Sequence, residues 1–240
     1  MPLPKISTPT YELELPSTGK KIKYRPFLVR EEKILILALE SEDEKQIATA
    51  VKNTLKDCIQ TRGVKVENLP TFDIEYLFLN IRGKSVGEAV DLIITCPDDG
   101  ETTVPVKVYI DEIQVVKDKE HTPDIDLDGS LTLRMKYPSL EQFVSSNFSF
   151  DEGNEDLDKS FEIIGSCIDV IFNADDAWST SDVTKKELIT WMDGLNSSQF
   201  KEIEKFFTTM PKLSHTIKVT NPNTKVENEI VLEGLQSFFG

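Results

Sequence analysis

The histidines and cysteines are the residues of this chain best suited to nucleophilic or metal chemistry, and both kinds are few. His121 lies in an acidic stretch, and His215 stands just before a predicted strand. No serine or cysteine occupies a nucleophile-elbow pattern such as G-x-S-x-G, and the phosphate-binding pattern G-x-x-x-x-G-K-[ST] does not occur. We interpret His121 as a solvated loop residue and His215 as a strand-edge residue, and we predict that the protein is not an enzyme.

Cys96 stands at the start of a Cys-Pro turn, where a zinc knuckle would begin. A second cysteine would be needed three residues later, but that residue is Asp99, and the matching turn near the C terminus carries Asn221. Structural zinc requires four nitrogen or sulfur ligands, whereas Cys96 and His215 supply two at most. The sequence therefore predicts no zinc site.

A run of alternating carboxylates resembles the first half of a calcium-binding loop. Asp124, Asp126 and Asp128 are followed by Gly129 at the sixth position, as such a loop requires. The twelfth position must carry a carboxylate, but it is Met135. We predict a solvated acidic loop here, and we predict no metal, no cofactor and no small-molecule substrate for the chain.

The composition is that of a folded, acidic protein. Of the 240 residues 39% are hydrophobic, and 27 basic residues against 42 acidic ones give a net charge of −15. This sign disfavours nucleic acid and anionic membranes as partners, and no apolar run approaches the roughly 18 residues of a membrane span. Three widely separated cysteines fit a reducing compartment, which predicts a cytosolic protein at synthesis.

The hydrophobic pattern predicts an α+β fold. An N-terminal β-hairpin precedes two helical blocks, and each block is followed by a β-hairpin of degenerate zinc-knuckle type. We predict three segments. Residues 1–118 hold the first hairpin, the first helices and the first knuckle-like hairpin, residues 119–154 form an irregular acidic connector, and residues 155–240 hold the second helices and hairpin.

Three helices carry more specific expectations. The segment Val29–Glu40 is apolar almost all round, which predicts burial on several sides. Ser41 with Glu44 three residues later predicts a capping box for the next helix. The 4-3-4-3 spacing of apolar residues from Leu157 to Ile171 predicts a helix of about four turns that buries one seam.

Two groups of side chains are candidates for contacts with a partner. Four basic residues mark the N-terminal hairpin: Lys20, Lys21, Lys23 and Arg25. Four aromatic residues lie in or near acidic or terminal stretches: Phe148, Phe150, Phe238 and Phe239. Aromatic side chains often anchor interfaces, but they also fold back onto their own core. The lysines could equally protect an edge strand from aggregation.

Several collinear blocks resemble one family of viral proteins. They are Pro16–Phe27 leading into Val29–Lys33, Thr71–Phe78 running into Ile81–Glu88, and Glu229–Phe239. These blocks resemble the baseplate hub subunits and hub-assembly proteins of T-even-like contractile-tailed bacteriophages. In that family the hairpins can carry Cys-x-x-Cys knuckles, from which this chain departs. The resemblance implies a non-enzymatic protein of the virion tail baseplate that is present in the host cytoplasm during assembly.

Three functions follow as alternatives. A structural hub subunit would bind other baseplate or hub proteins through complementary surfaces. A transient assembly chaperone would bind hub or tape-measure protein and leave before completion. A hub-associated hydrolase would need a triad or a paired-carboxylate pocket, for which the sequence offers only abundant acids. We predict the structural subunit, with the chaperone as the alternative.

Overall fold

The computed structural model describes residues 6–41, 43–139 and 157–238. The chain forms two compact units: unit 1 is Met1–Val116 with Lys212–Gly240, and unit 2 is Lys117–Pro211. The fold is α+β as predicted, with an N-terminal hairpin and small antiparallel sheets. The division differs from the three predicted segments, because the C-terminal hairpin belongs to unit 1 and the predicted connector falls within unit 2.

Six α-helices and eleven strands lie within the described ranges. The helices are α1 (Val29–Glu40), α2 (Glu44–Cys58), α3 (Thr71–Val86), α4 (Leu157–Cys167), α5 (Lys185–Met192) and α6 (Ser197–Thr209). The strands are β1 (Tyr11–Glu14), β2 (Lys21–Tyr24), β3 (Ala89–Thr95), β4 (Thr103–Tyr109), β5 (Gln114–Val116), β6 (Asp124–Asp126), β7 (Thr132–Met135), β8 (Ile168–Phe172), β9 (Ala177–Ser179), β10 (Lys212–Thr220) and β11 (Glu227–Glu233).

Unit 1 begins with the predicted hairpin, whose strands pair antiparallel from Tyr11 opposite Tyr24 to Glu14 opposite Lys21. The bridge between Tyr24 and Ile59 ties this hairpin to the end of α2. Helix α2 packs against both α1 and α3, and its stripe of small and apolar residues is buried, as its spacing predicts.

The remaining part of unit 1 is a hairpin of β3 and β4 and a three-stranded sheet in the order β11-β10-β5. Residues of both bury one core together with Leu79 of α3 and Phe238. Helix α3 lies so close to this core that a Cβ on Gly83 would stand 2.9 Å from the Cδ1 atom of Ile110. A larger residue at this point of the helix would displace the end of the Ile110 side chain.

Unit 2 contains a four-stranded antiparallel sheet in the order β6-β7-β8-β9. Its core combines this sheet with α4, α5 and α6, and includes Leu133, Ile164, Met192 and Phe207. Part of the predicted irregular connector is therefore ordered, since β6 and β7 pair with each other and β7 pairs with β8.

Two helix predictions needed correction. Helix α4 ends at Cys167, and Ile168 and Ile171, which the seam assigned to it, lie in strand β8 instead. This segment is rich in β-branched residues, and its pairing with β7 outweighs the local helical spacing. Helix α2 begins two residues later than predicted, because Asp43 rather than Ser41 is its N-cap and accepts from the N–H groups of Lys45 and Gln46.

Candidate functional site

The lysines of the N-terminal hairpin lie on its exposed face. Strand alternation turns Leu13 and Ile22 inward, so the charged residues between them point outward. The register sets Glu14 opposite Lys21 and Glu12 opposite Lys23. The Lys21 Nζ atom stands 3.6 Å from a Glu12 carboxylate oxygen and 3.8 Å from one of Glu14. The hairpin is therefore a surface of mixed charge rather than the basic patch that the lysines alone indicate.

Arg25, predicted to lie with the lysines at an interface, is instead buried. Its Nη2 atom lies 2.9 Å from the Oε1 atom of Glu31, and its Nη1 atom donates to the Pro26 carbonyl at 2.8 Å. The side chain of Glu31 is 2% exposed. An arginine at this depth needs a carboxylate partner, and Glu31 is that partner, so Arg25 cannot serve as a surface cation.

Glu31 fixes the start of α1 by hydrogen bonds from three residues. It accepts from Arg25, from the Arg30 Nε atom at 2.6 Å and from the backbone N–H of Leu28 at 2.7 Å. Burial raises the pKa of the Glu31 carboxyl, but these hydrogen bonds outweigh burial and lower its pKa to about 2. The carboxylate therefore joins the hairpin to α1 in its charged form.

Helix α1 is covered on one side only, which contradicts the prediction of burial on several sides. Its buried residues Glu31, Leu35 and Ala38 form one stripe. Other apolar side chains of α1 are exposed by 41% to 66%: Val29, Ile34, Ile36, Leu37 and Leu39. Contiguous exposed apolar surface of this kind marks an interaction site more often than an ordinary solvent face.

The aromatic interface candidates have different outcomes. Phe238, predicted as a partner contact, is 1% exposed and packs in the core of unit 1. Its burial follows from the short 3₁₀ turn Leu235–Phe238 that succeeds β11. Phe148, Phe150 and Phe239 lie outside the described residues.

The tips of the two later hairpins of unit 1 meet through hydrogen bonds. The amide nitrogen of Asn221, a fully buried residue, donates to Asp98 at 3.0 Å and to Asp99 at 2.9 Å. Thr224 and Asn228 also donate to Asp98. A hydrogen bond from the Thr102 hydroxyl is the main cause that lowers the pKa of Asp99. Two carboxylates are thus held by neutral donors.

Cys96 is fully buried beside this cluster, and burial raises the pKa of its thiol. His215 lies within β10, where it pairs with Leu232 of β11, one residue beyond the part of β10 that pairs with β5. Its Nε2 atom stands 3.9 Å from a Glu112 carboxylate oxygen. In the described ranges, no group of three or more His, Cys, Asp or Glu side chains is placed to hold a metal ion.

His121 has a structural position in unit 2 and is not a solvated loop residue. Its Nδ1 atom is 3.0 Å from the Thr209 hydroxyl, and its Nε2 atom is 2.9 Å from the Tyr137 hydroxyl. Its ring also contacts that of Phe206. Burial lowers the pKa of His121, so the neutral imidazole is the form that joins Thr209 at the end of α6 to Tyr137, which follows β7.

The alternating carboxylates of β6 and its turn do not converge on a common point. Asp124 pairs with Arg134 at 2.8 Å across the hairpin. Asp126 accepts from the N–H of Gly129 at 2.6 Å, and Asp128 accepts from the N–H of Ser130 at 3.0 Å. These carboxylates stabilise a turn, as Asp commonly does.

Unit 2 also has an apolar groove that the sequence did not indicate. Both tryptophans of the chain line it, and Trp178 is 47% exposed. The groove encloses about 400 Å³, and its other lining residues are Leu131, Ile171, Val183, Glu187 and Leu188. Tryptophan is enriched in interface hot spots. Trp178 reaches this groove because β9 pairs with β8. The sequence pattern did not predict that hairpin, so it did not predict that the two tryptophans line one groove.

The geometry thus provides surfaces for protein contacts: the mixed-charge hairpin, the exposed side of α1 and the tryptophan groove. Comparison with known proteins agrees with this class. Residues 8–240 match the family described as T4 bacteriophage base plate protein. The chain belongs to this family, which makes it a phage baseplate protein with a structural role and with protein partners in the virion tail.

No curated protein and no solved structure matches the chain. Among the described helices, none combines the length and the apolar character that crossing a membrane requires.

Proposed function

We propose that this protein is a resident, non-enzymatic subunit of the baseplate hub, held in place by contacts with neighbouring baseplate proteins. The observation that carries the proposal is the exposed apolar side of α1, where Leu37 is 66% exposed. Leaving such a surface in water is unfavourable by roughly 25 cal/mol per Å². A partner that covers it in the assembled tail removes that cost.

Family membership supports the baseplate, and the collinear blocks around the N-terminal hairpin, α3 and β11 support the hub within it. The hairpin lies directly before α1 in the chain, and Arg25 at its end pairs with Glu31 of α1, so the charged surface and the apolar surface belong to two connected elements. In such interfaces the charges orient the partner and set the encounter rate, while apolar anchors supply most of the affinity.

A transient assembly chaperone is the second candidate, because an exposed apolar helix also suits a binder of hub or tape-measure protein. Quantitative mass spectrometry of purified particles and of infected-cell lysate separates the two. We expect the protein in particles at a fixed ratio to hub proteins. Presence in lysate together with absence from particles would show a chaperone instead.

The hairpin can be tested by charge reversal of its three exposed lysines to glutamate: Lys20, Lys21 and Lys23. We expect reduced incorporation into particles, because the reversed charges repel a partner that the wild-type hairpin attracts. A matched control reverses three other exposed lysines: Lys186, Lys201 and Lys218. Lys218 is a close match, since it faces Glu229 across a strand pair as Lys21 faces Glu14. Normal incorporation of the hairpin variant into particles would show that the hairpin is not part of the interface.

A further inference from the structure

The outward side of α1 has a regular pattern of its own. The buried stripe at Glu31, Leu35 and Ala38 packs this helix on α2. Residues on the opposite side recur at helical spacing, and all of them are exposed: Val29, Lys33, Ile36, Leu37 and Glu40. An apolar centre is thus placed between a cation toward one end of the helix and an anion at the other.

The positions of these charges define how the face could be matched. Lys33 and Glu40 are seven residues apart, which is about two helical turns or 10.5 Å along the axis. Ile36 and Leu37 lie midway between them. Two such helices side by side in antiparallel orientation would bring each Lys33 next to Glu40 of the second copy, with the four apolar side chains meeting at the centre. A parallel pair would set like charges together.

We propose that the α1 face binds a second copy of this chain, with the helices antiparallel and a two-fold axis between Ile36 and Leu37. The proposal rests on the proposed function in one respect, since both assign the exposed side of α1 to a protein contact. It adds the identity of the partner: the face is complementary to itself under two-fold symmetry, as an isologous contact requires.

The strength expected of this contact follows from its size. One face of a 12-residue helix is smaller than the roughly 800 Å² per partner of a standard stable interface. We therefore expect a dimer whose dissociation constant lies in the micromolar range. Analytical ultracentrifugation of the full chain between about 1 and 300 μM measures it.

Charge exchange tests the geometry. Lys33→Glu and Glu40→Lys each turn two attractions into two repulsions, and we expect each to weaken dimerisation about tenfold. The double variant carrying both changes restores the attractions and should dimerise like the wild type. An equimolar mixture of the two single variants should form a heterodimer more tightly than either variant pairs with itself.

The apolar centre is tested by Leu37→Glu, which should weaken dimerisation by roughly a hundredfold. Ile93→Glu is the matched control, because Ile93 is 78% exposed on a different element of unit 1. Circular dichroism of each variant verifies that it is folded. A wild-type chain that is monomeric throughout this range, or a dimer indifferent to the single charge changes, would overturn the proposal.

The outcomes separate this proposal from the proposed function. A chain that is monomeric in solution yet present in particles at a fixed ratio overturns the dimer and leaves the hub subunit standing. A dimer with the expected charge dependence that is absent from particles supports the α1 contact and overturns the resident subunit.

Discussion

Helices α1 and α6 are nearly equal in length, at 12 and 13 residues, but they differ in the kind of side chain that they expose to solvent. Helix α6 buries Ile203, Phe206 and Phe207, and its exposed residues are polar: Ser197, Ser198, Lys201, Glu202, Lys205 and Thr208. Helix α1 buries a narrow stripe and exposes Ile36 and Leu37. The apolar side chains of α6 pack in the core of unit 2. Several apolar side chains of α1 are left exposed, because unit 1 covers only one side of this helix.

The largest expected effect comes from removing a core side chain of α6. Phe207→Ala should destabilise unit 2 by about 3–5 kcal/mol, because Phe207 is 1% exposed and its removal leaves a cavity. Urea unfolding followed by tryptophan fluorescence reports this, since both tryptophans lie in unit 2. A loss below 1 kcal/mol would mean that α6 is no better buried than α1.

The buried carboxylate at the start of α1 should have the next largest effect. The pKa of Glu31 falls from 4.5 to about 2 on folding, which corresponds to about 3 kcal/mol of stability at neutral pH. A lowered folded-state pKa gives stability that is complete above about pH 4.5 and is lost as the pH falls toward 2. Glu31→Gln removes this contribution.

The measurement is the difference in unfolding free energy between wild type and Glu31→Gln, followed by circular dichroism from pH 7 to pH 2. We expect the difference to narrow by about 3 kcal/mol over the acidic part of this range. Glu32→Gln is the control, since Glu32 is the adjacent and more exposed residue. A difference that does not vary with pH would contradict the buried-pair description of Arg25 and Glu31.

A smaller effect is expected at the N-cap of α6. Asn196 accepts from the N–H groups of Ser198 and Gln199, and Asn196→Ala should cost about 1 kcal/mol. Leu28 holds the same position in α1 but makes no side-chain cap hydrogen bond, so Leu28→Ala should cost less. Chemical denaturation measures the loss of stability in each variant. Equal losses for Asn196→Ala and Leu28→Ala would show that the two N-caps contribute equally.

The smallest effect is expected on the exposed side of α1. Leu37→Gln should change the stability of the isolated chain by less than about 0.5 kcal/mol, since the side chain is largely in water. Leu35→Gln, two residues away and 9% exposed, should destabilise clearly. Thermal melting compares them. Similar losses for both would indicate that α1 is covered on both sides.

Local patterns predicted those elements whose stabilising contacts are close in sequence. The capping boxes of Thr184 with Glu187 and of Asn196 with Gln199 both form, and the three-residue spacing of the two partners is visible in the sequence. The hairpins are likewise determined by alternation and turn residues within a short segment. Each of these features needs only a few neighbouring residues to specify it.

Features that depend on distant partners were not predictable in this way. The strand β8 exists because β7 pairs with it, from Thr132 opposite Phe172 onward. The burial of Arg25 depends on the carboxylate of Glu31 and on Cys58 at the end of α2, whose carbonyl accepts from the Arg25 backbone N–H at 3.0 Å. The exposure of α1 depends on how much surface α2 covers, a tertiary quantity that no local period encodes.

The divided course of unit 1 also bears on the order in which the protein is made. The β10–β11 hairpin supplies Leu213, Ile217 and Leu232 to the core that holds Val90 and Val108. A ribosome synthesises the whole of unit 2 between these two contributions. Unit 2 is a continuous segment, so all of its residues are synthesised one after another. The first part of unit 1 is synthesised before the C-terminal strands that complete its core. The discontinuous topology therefore leaves apolar side chains of the first part of unit 1 without the strands that cover them until the C-terminal hairpin has been made.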